Sequence, residues 1–200
     1  INAAENYRRN MMKLNYKKVI FTGFAFFLIC AFWQAYDNVI PLILTNKFGM
    51  NQTWSGVIMA LDNLFALFLL PLFGALSDKT NTKFGRRTPY IFIGTICAVL
   101  FFIFLPLIDT LWLFILVLLL VLLSMSIFRS PAVALMPDVT CKPFRSKANA
   151  VINLMGTAGG MIVLVFGTIF KTSEEHKTDF FPYILATAGL MLLGLIVFLL

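Results

Sequence analysis

The 200-residue chain is 60% hydrophobic and 12% charged, against roughly 45–50% apolar and about 25% charged in soluble domains. A water-soluble fold of this length would expose large apolar patches, so a soluble enzyme or binding domain is excluded, and 22 phenylalanines suit a lipid-facing protein. The formal net charge of +7 sits in short clusters between apolar runs, which makes it a signal of membrane orientation rather than of a nucleic-acid partner.

Residues 1–18 interleave Arg8, Arg9, Lys13, Lys17 and Lys18 with Tyr7, Met11, Met12, Leu14 and Tyr16, the pattern of a basic cytoplasmic tail lying at the membrane interface. Six apolar runs follow over 19–200, at about 19–44, 53–76, 89–108, 111–136, 147–170 and 181–200. Each is long enough to cross a ~30 Å hydrocarbon core as a helix. The runs are continuous rather than alternating, which excludes barrel strands. The first is too long for a signal peptide and no small-residue cleavage site follows it. The tail and the loops at 79–87 and 142–147 carry twelve of the lysines and arginines outside the spans; Lys47, Lys171 and Lys177 are the three on the opposite side. That asymmetry places the N-terminus in the cytoplasm and sets the basic segments against anionic lipid. The chain opens on Ile1 and closes inside an apolar run, as expected of a piece of a longer protein.

In span 1, Trp33-Gln34-Ala35-Tyr36-Asp37-Asn38 places a carboxylate about 12 Å inside the outer boundary at 1.5 Å per residue. Asp62 in span 2 falls about 14 Å deep by the same count. A charge at such depth costs about 2.5–3.5 kcal/mol, which marks it as functional by default. Gln34, Asp37, Asn38 and Pro41 share one helix face by spacing, with Trp33 and Tyr36 flanking it. Amides and a carboxylate bind hydroxyls, and aromatic rings cover apolar sugar faces, so these residues are candidates to bind a polyhydroxylated ligand. Asp62, with Asp37 as a second candidate, is the group expected to carry a coupling proton or cation. The structural alternative has both carboxylates satisfied at a kink near Pro41 or by Asn63, and the two aromatics as packing residues.

Between spans 2 and 3 runs Gly74-Ala-Leu-Ser-Asp78-Lys-Thr-Asn-Thr-Lys-Phe-Gly85-Arg86-Arg87-Thr-Pro89. Gly74 permits close helix approach, Gly85 turns the chain, Pro89 opens span 3, and the arginines present forked donors to carboxylates. The expected pairs are Asp78 with Arg145, and Asp138 with Arg86 or Arg87, forming a cytoplasmic gate between spans 2–3 and 4–5. The alternative is a solvated basic connector. Arg129 lies inside the cytoplasmic half of span 4, next to Ser126, Ser130 and Pro131. Span 5 presents Asn149, Asn153 and Thr157 on one face, with Asn153 at a similar depth to Arg129. Arg129 and Asn153 are therefore candidate ligand-binding residues; the alternative for Arg129 is snorkelling to the cytoplasmic interface. Gly156 and Gly160 form a small-xxx-small pair for helix packing.

With its Gly74–Asp78–Gly85–Arg86–Arg87 order, the loop resembles the signature loop between helices 2 and 3 of the major facilitator superfamily. The usual loop is shorter. The seven-residue step to Gly85, followed by Arg-Arg-x-Pro-Tyr, is similar to sucrose-transporter-like proteins and the related glycoside–pentoside–hexuronide:cation symporters. The stretches Arg129–Asp138 and Arg145–Ala150 resemble the end of helix 4 and the start of helix 5 in that group. The resemblance implies an all-α fold: the N-terminal six-helix half of a twelve-helix transporter of the cell membrane, whose missing C-terminal half supplies the other wall of a midplane cavity. It also implies cation-coupled, proton-type symport of a sugar or glycoside by alternating access. The chain departs from its relatives at their coupling sites: Leu122 stands where plant sucrose transporters have an acidic residue, and Ala66 and Leu70 where melibiose-type symporters have two carboxylates. An exporter of a drug or metabolite, or a structural membrane protein, are the other classes left open. Cys30, Cys97, Cys141 and the sole histidine, His176, form no metal-ligand or catalytic pattern, so no enzyme activity and no cofactor is expected.

Overall fold

Apolar runs in lipid must close their backbone hydrogen bonds internally, and this chain does so entirely with helices. The computed structural model describes residues 16–172 and 178–200, and among these there is no strand. Arg8, Arg9 and Lys13 of the basic tail, and His176 and Lys177 of the outer loop, lie outside the described residues. Six helical segments are long and apolar enough to span a membrane. Span 1 is α1 (Tyr16–Leu42) with a π-helical turn, Ile43–Lys47. Span 2 is α2 (Gln52–Met59) and α3 (Leu61–Lys79), broken at Ala60. Span 3 is α4 (Thr88–Phe104), ending in a 3₁₀ turn, Leu105–Leu107. Span 4 is α5 (Leu111–Val139). Span 5 is α6 (Arg145–Ile169), entered through a 3₁₀ turn, Lys142–Phe144, and span 6 is α7 (Phe181–Leu199).

Span 1 is the central element: 61% of its apolar window is buried, against 6% for span 2 and 22% for span 5. α1 packs chiefly on α6 and α7, α4 on α5 and α7, and α3 on α5. Small residues let α1 and α6 approach closely. A Cβ on Gly159 would stand 2.7 Å from the Phe27 carbonyl oxygen, and one on Gly156 2.9 Å from Cys30 Sγ. Gly160 has more room, its nearest neighbour being Gln34 Oε1 at 3.7 Å. The tight pair is therefore Gly156 and Gly159 rather than the expected Gly156 and Gly160. Inside the bundle, Phe32 centres a ring cluster with Phe102 at 5.1 Å and Tyr36 at 6.1 Å.

Two irregularities shape the outer end. Pro41 has no N–H to give back to the preceding turn, and the helix widens into the π turn two residues later, where Phe48 N–H reaches the Ile43 carbonyl at 3.3 Å. Thr45 Oγ1 donates to the Pro41 carbonyl at 2.9 Å. In span 2, Asn51 caps α2 by accepting from Thr53 N–H at 3.1 Å. The break at Ala60 then places Asp62 in the first turn of α3, where a negative charge suits the helix dipole.

Candidate functional site

Two groups of polar residues stand out, one at the cytoplasmic ends of α3 and α5 and one at membrane depth. The first is organised by Arg87, 8% exposed. Its Nη2 pairs with Asp78 Oδ1 at 2.8 Å, its Nε with Asp138 Oδ2 at 2.6 Å, and its Nη1 donates to Ser77 Oγ at 3.2 Å. One guanidinium fork thus ties the end of α3 to the end of α5. Gly85, at φ +101°, turns the loop so that Arg87 enters the gap between them. Thr80 Oγ1 and Tyr90 Oη, 2.7 Å apart, close the loop's base.

Gly74 makes the same crossing close: a Cβ there would lie 3.0 Å from Ser130 Oγ, which donates to the Leu70 carbonyl at 2.7 Å. The expected Asp78–Arg145 pair is not formed, because Arg87 already occupies the Asp78 carboxylate; Arg145 Nη2 instead donates to the Pro137 carbonyl at 3.3 Å. Arg86 points to the exterior. Asp138 takes Arg87, the second of its two expected partners.

At membrane depth, the face read from spacing in span 1 divides into two stripes. Gln34 turns toward Gly160 of α6, and Asn38 stands beside the Tyr183 phenol of α7 without a regular hydrogen bond to it. Asp37 and Pro41 look the other way. Asp37 is exposed and close enough to Asp62 for the two carboxylates to interact electrostatically, and the Tyr36 hydroxyl feels both. Pro41 lines an open cleft of about 320 Å³ with Thr45, Gln52, Ser55 and Met59. Asp62 is half-buried, and its Oδ1 accepts the backbone N–H of Asn63. Neither carboxylate has a cationic partner among the described residues.

The two aromatics do not stand on the open face with Asp37. Tyr36 is fully buried, its ring stacked near Phe32, and its hydroxyl has no hydrogen-bond partner. Trp33 is half-buried between Tyr36, whose ring lies edge-on at 5.3 Å, and the Arg129 guanidinium, 5.0 Å from its ring centroid. Arg129 lies beside Cys30 as well and lines a cleft of about 470 Å³ with Leu70, Pro71, Ser130, Val133 and Ala134. Ser126 is buried and bonded to its own helix at the Leu122 carbonyl, 2.9 Å away. Asn149, Asn153 and Thr157 line an exposed edge of α6, and Asn153 makes no hydrogen bond to Arg129. Among the described residues no group of three His, Cys, Asp or Glu is placed to hold a metal.

One polar feature escaped the sequence reading. Lys47, at the outer end of span 1, pairs with Asp109 at 2.8 Å and donates to the Pro106 carbonyl at 2.7 Å. The only hint in the sequence was an isolated lysine among outer residues poor in cations.

Compared with known proteins, residues 22–200 match the family described as Major Facilitator Superfamily. A 50-residue segment is 38% identical to the sucrose transport protein SUC4 of Arabidopsis thaliana. That segment covers 25% of this chain and 10% of the relative's length. No solved structure matches the chain significantly.

Proposed function

This chain belongs to the major facilitator superfamily, and from that premise we propose that it is half of a multi-pass secondary transporter that moves a sugar or glycoside together with a proton by alternating access. The observation that carries the reading is the juxtaposition of Asp37 and Asp62. Two carboxylates on successive membrane spans lie close enough to interact electrostatically, with no ion pair to a cation among the described residues. Ionised together they repel, so one bound proton or cation relieves the repulsion and links ion binding to the packing of span 1 against span 2. A carboxylate pair at membrane depth with no such ligand would carry a penalty that a purely structural membrane protein has no reason to keep. The partial likeness to a sucrose transport protein supports a saccharide as the cargo.

The Arg87 cluster is proposed as the cytoplasmic gate. It joins α3 to α5 through contacts that are half-exposed on the acidic side, with Asp78 59% and Asp138 32% exposed. Such pairs hold one conformation by a small margin, as a reversible closure requires. Gly74, Gly85 and Arg86 support it through close approach, loop geometry and cytoplasmic charge, and Arg145 adds a bond to the end of α5.

The test is uptake of a radiolabelled disaccharide by the full chain in proteoliposomes. A proton gradient should drive accumulation, and a protonophore should abolish it. Asp62→Asn should lose accumulation yet keep sugar exchange, because the amide retains size and hydrogen bonding without titrating. Accumulation by Asp62→Asn that is still protonophore-sensitive refutes the coupling role of Asp62. Sodium-dependent uptake by the unaltered protein reassigns the two carboxylates as oxygen ligands of a cation. Outward movement of an apolar solute with no saccharide uptake makes the protein an exporter.

A further inference from the structure

Arg129 is the one cation at membrane depth among the described residues, and nothing in the described structure neutralises it. In contrast to Lys47, paired with Asp109, and Arg87, paired with Asp78 and Asp138, Arg129 takes part in no ion pair and no hydrogen bond among the described residues. Snorkelling does not account for its position. α5 runs from the outer side inward, and helical side chains lean toward the N-terminus of their own helix. Arg129, ten residues before the helix end at Val139 and so about 15 Å from it, therefore leans away from the cytoplasm. α1 runs the opposite way, so Trp33 leans toward it, and the two meet with the guanidinium 5.0 Å from the ring centroid.

This contact holds the charge but engages no N–H donor in a hydrogen bond, so the fork of the guanidinium is left for an acceptor. Arg129 also lines the open cleft of about 470 Å³ between α3 and α5, within the about 300–1,000 Å³ usual for small-molecule sites. The other lining side chains are apolar, apart from Ser130, whose hydroxyl proton is already given to the Leu70 carbonyl. A neutral sugar would find few acceptors for its hydroxyls in that wall. A ligand with two coplanar anionic oxygens matches the fork and neutralises the charge where water is scarce.

We infer that Arg129, held over Trp33, is an anion-binding residue, and that the transported ligand carries a carboxylate or a phosphate seated on its guanidinium. The inference rests on the transporter reading above, and narrows its cargo from sugars in general to acidic ones.

The experiment is isothermal titration of the full chain in detergent micelles with matched probes: methyl glucuronide against methyl glucoside, glucose 6-phosphate against glucose, and tartrate as an acidic compound that is not a sugar. The glucuronide should bind at least tenfold more tightly than the glucoside. Arg129→Gln should bring the two affinities within threefold of each other. Arg129→Lys, which keeps a cation over Trp33 but removes the fork, should retain part of the preference and controls for misfolding of the glutamine variant. A preference for glucose 6-phosphate larger than that for the glucuronide identifies phosphate as the anion. Equal affinities for the acidic and neutral sugars in the unaltered protein, or a preference that survives Arg129→Gln, overturns the anion site while leaving sugar transport standing. Tartrate binding that is lost in Arg129→Gln, with no sugar bound at all, supports the anion site and overturns the saccharide reading. No binding of any probe overturns the anion site.

Discussion

Replacing Arg87 should destabilise the chain more than any change to its partners, and the order of effects follows from exposure. Removing one member of a buried ion pair costs about 3–5 kcal/mol. Here the carboxylates left behind are 59% and 32% exposed and recover part of their hydration, so Arg87→Met should cost about 2–3 kcal/mol. Asp138→Asn removes the charge from the shorter and better shielded contact, 2.6 Å to Nε, and should cost about 1–2 kcal/mol. Asp78→Asn acts on the more exposed partner and should cost about 0–1 kcal/mol. Arg145→Ala, which would break the pair expected from sequence alone, should change stability by less than about 0.5 kcal/mol. Unfolding of the purified full chain by increasing SDS in mixed micelles, followed by circular dichroism, measures all four. An Asp78→Asn loss equal to that of Arg87→Met, or an Arg145→Ala loss above that of Asp138→Asn, would refute the assignment of Arg87 as the hub.

Glycine substitutions test the packing of span 1. Gly159→Ala forces a methyl to 2.7 Å from the Phe27 carbonyl oxygen and should destabilise by about 1–3 kcal/mol in the same assay. Gly189→Ala meets nothing within 4 Å and should be neutral or gain up to about 1 kcal/mol of helix propensity; equal effects at the two sites would show that α1 and α6 are not in close contact. For orientation, Lys83→Cys in a Cys141→Ser background should react with an impermeant maleimide only from the cytoplasmic side. Asp109→Cys, at a side chain 88% exposed, should react only from the outer side, and reversed accessibility at both would invert the topology.

Much of this protein was legible along the chain because the membrane reduces the problem to one dimension. A helix that crosses lipid needs length and apolarity, both local properties of the sequence, and the sidedness of lysine and arginine adds direction. The loop signature at 74–89 was equally readable, since Gly85 and Pro89 act through their own backbones.

Partner choice was not readable in this way. Arg86 and Arg87 are neighbours of identical chemistry, yet beyond the turn at Gly85 it is Arg87 that is buried in the gap between α3 and α5 and Arg86 that is exposed. Arg145 was matched to Asp78 by charge, but a single guanidinium can serve two carboxylates, and Arg87 reached both. Helical spacing put Gln34, Asp37, Asn38 and Pro41 on one face; a stripe that wide touches several neighbours at once, and the positions of α6, α7 and α3 divided it. Tyr36 was read as flanking a ligand face, yet the ring cluster around Phe32 drew it into the core.

What the sequence by itself determined was the number, order and orientation of the spans and the membership of a family. Each of these depends on composition within a window or on a motif held by backbone geometry. The tertiary structure alone decided which charges meet, that Arg129 rests on Trp33 with no carboxylate partner among the described residues, and that Asp37 and Asp62 come close enough to interact electrostatically. Those outcomes depend on the direction in which side chains of separate helices converge, a quantity that no spacing within one helix contains.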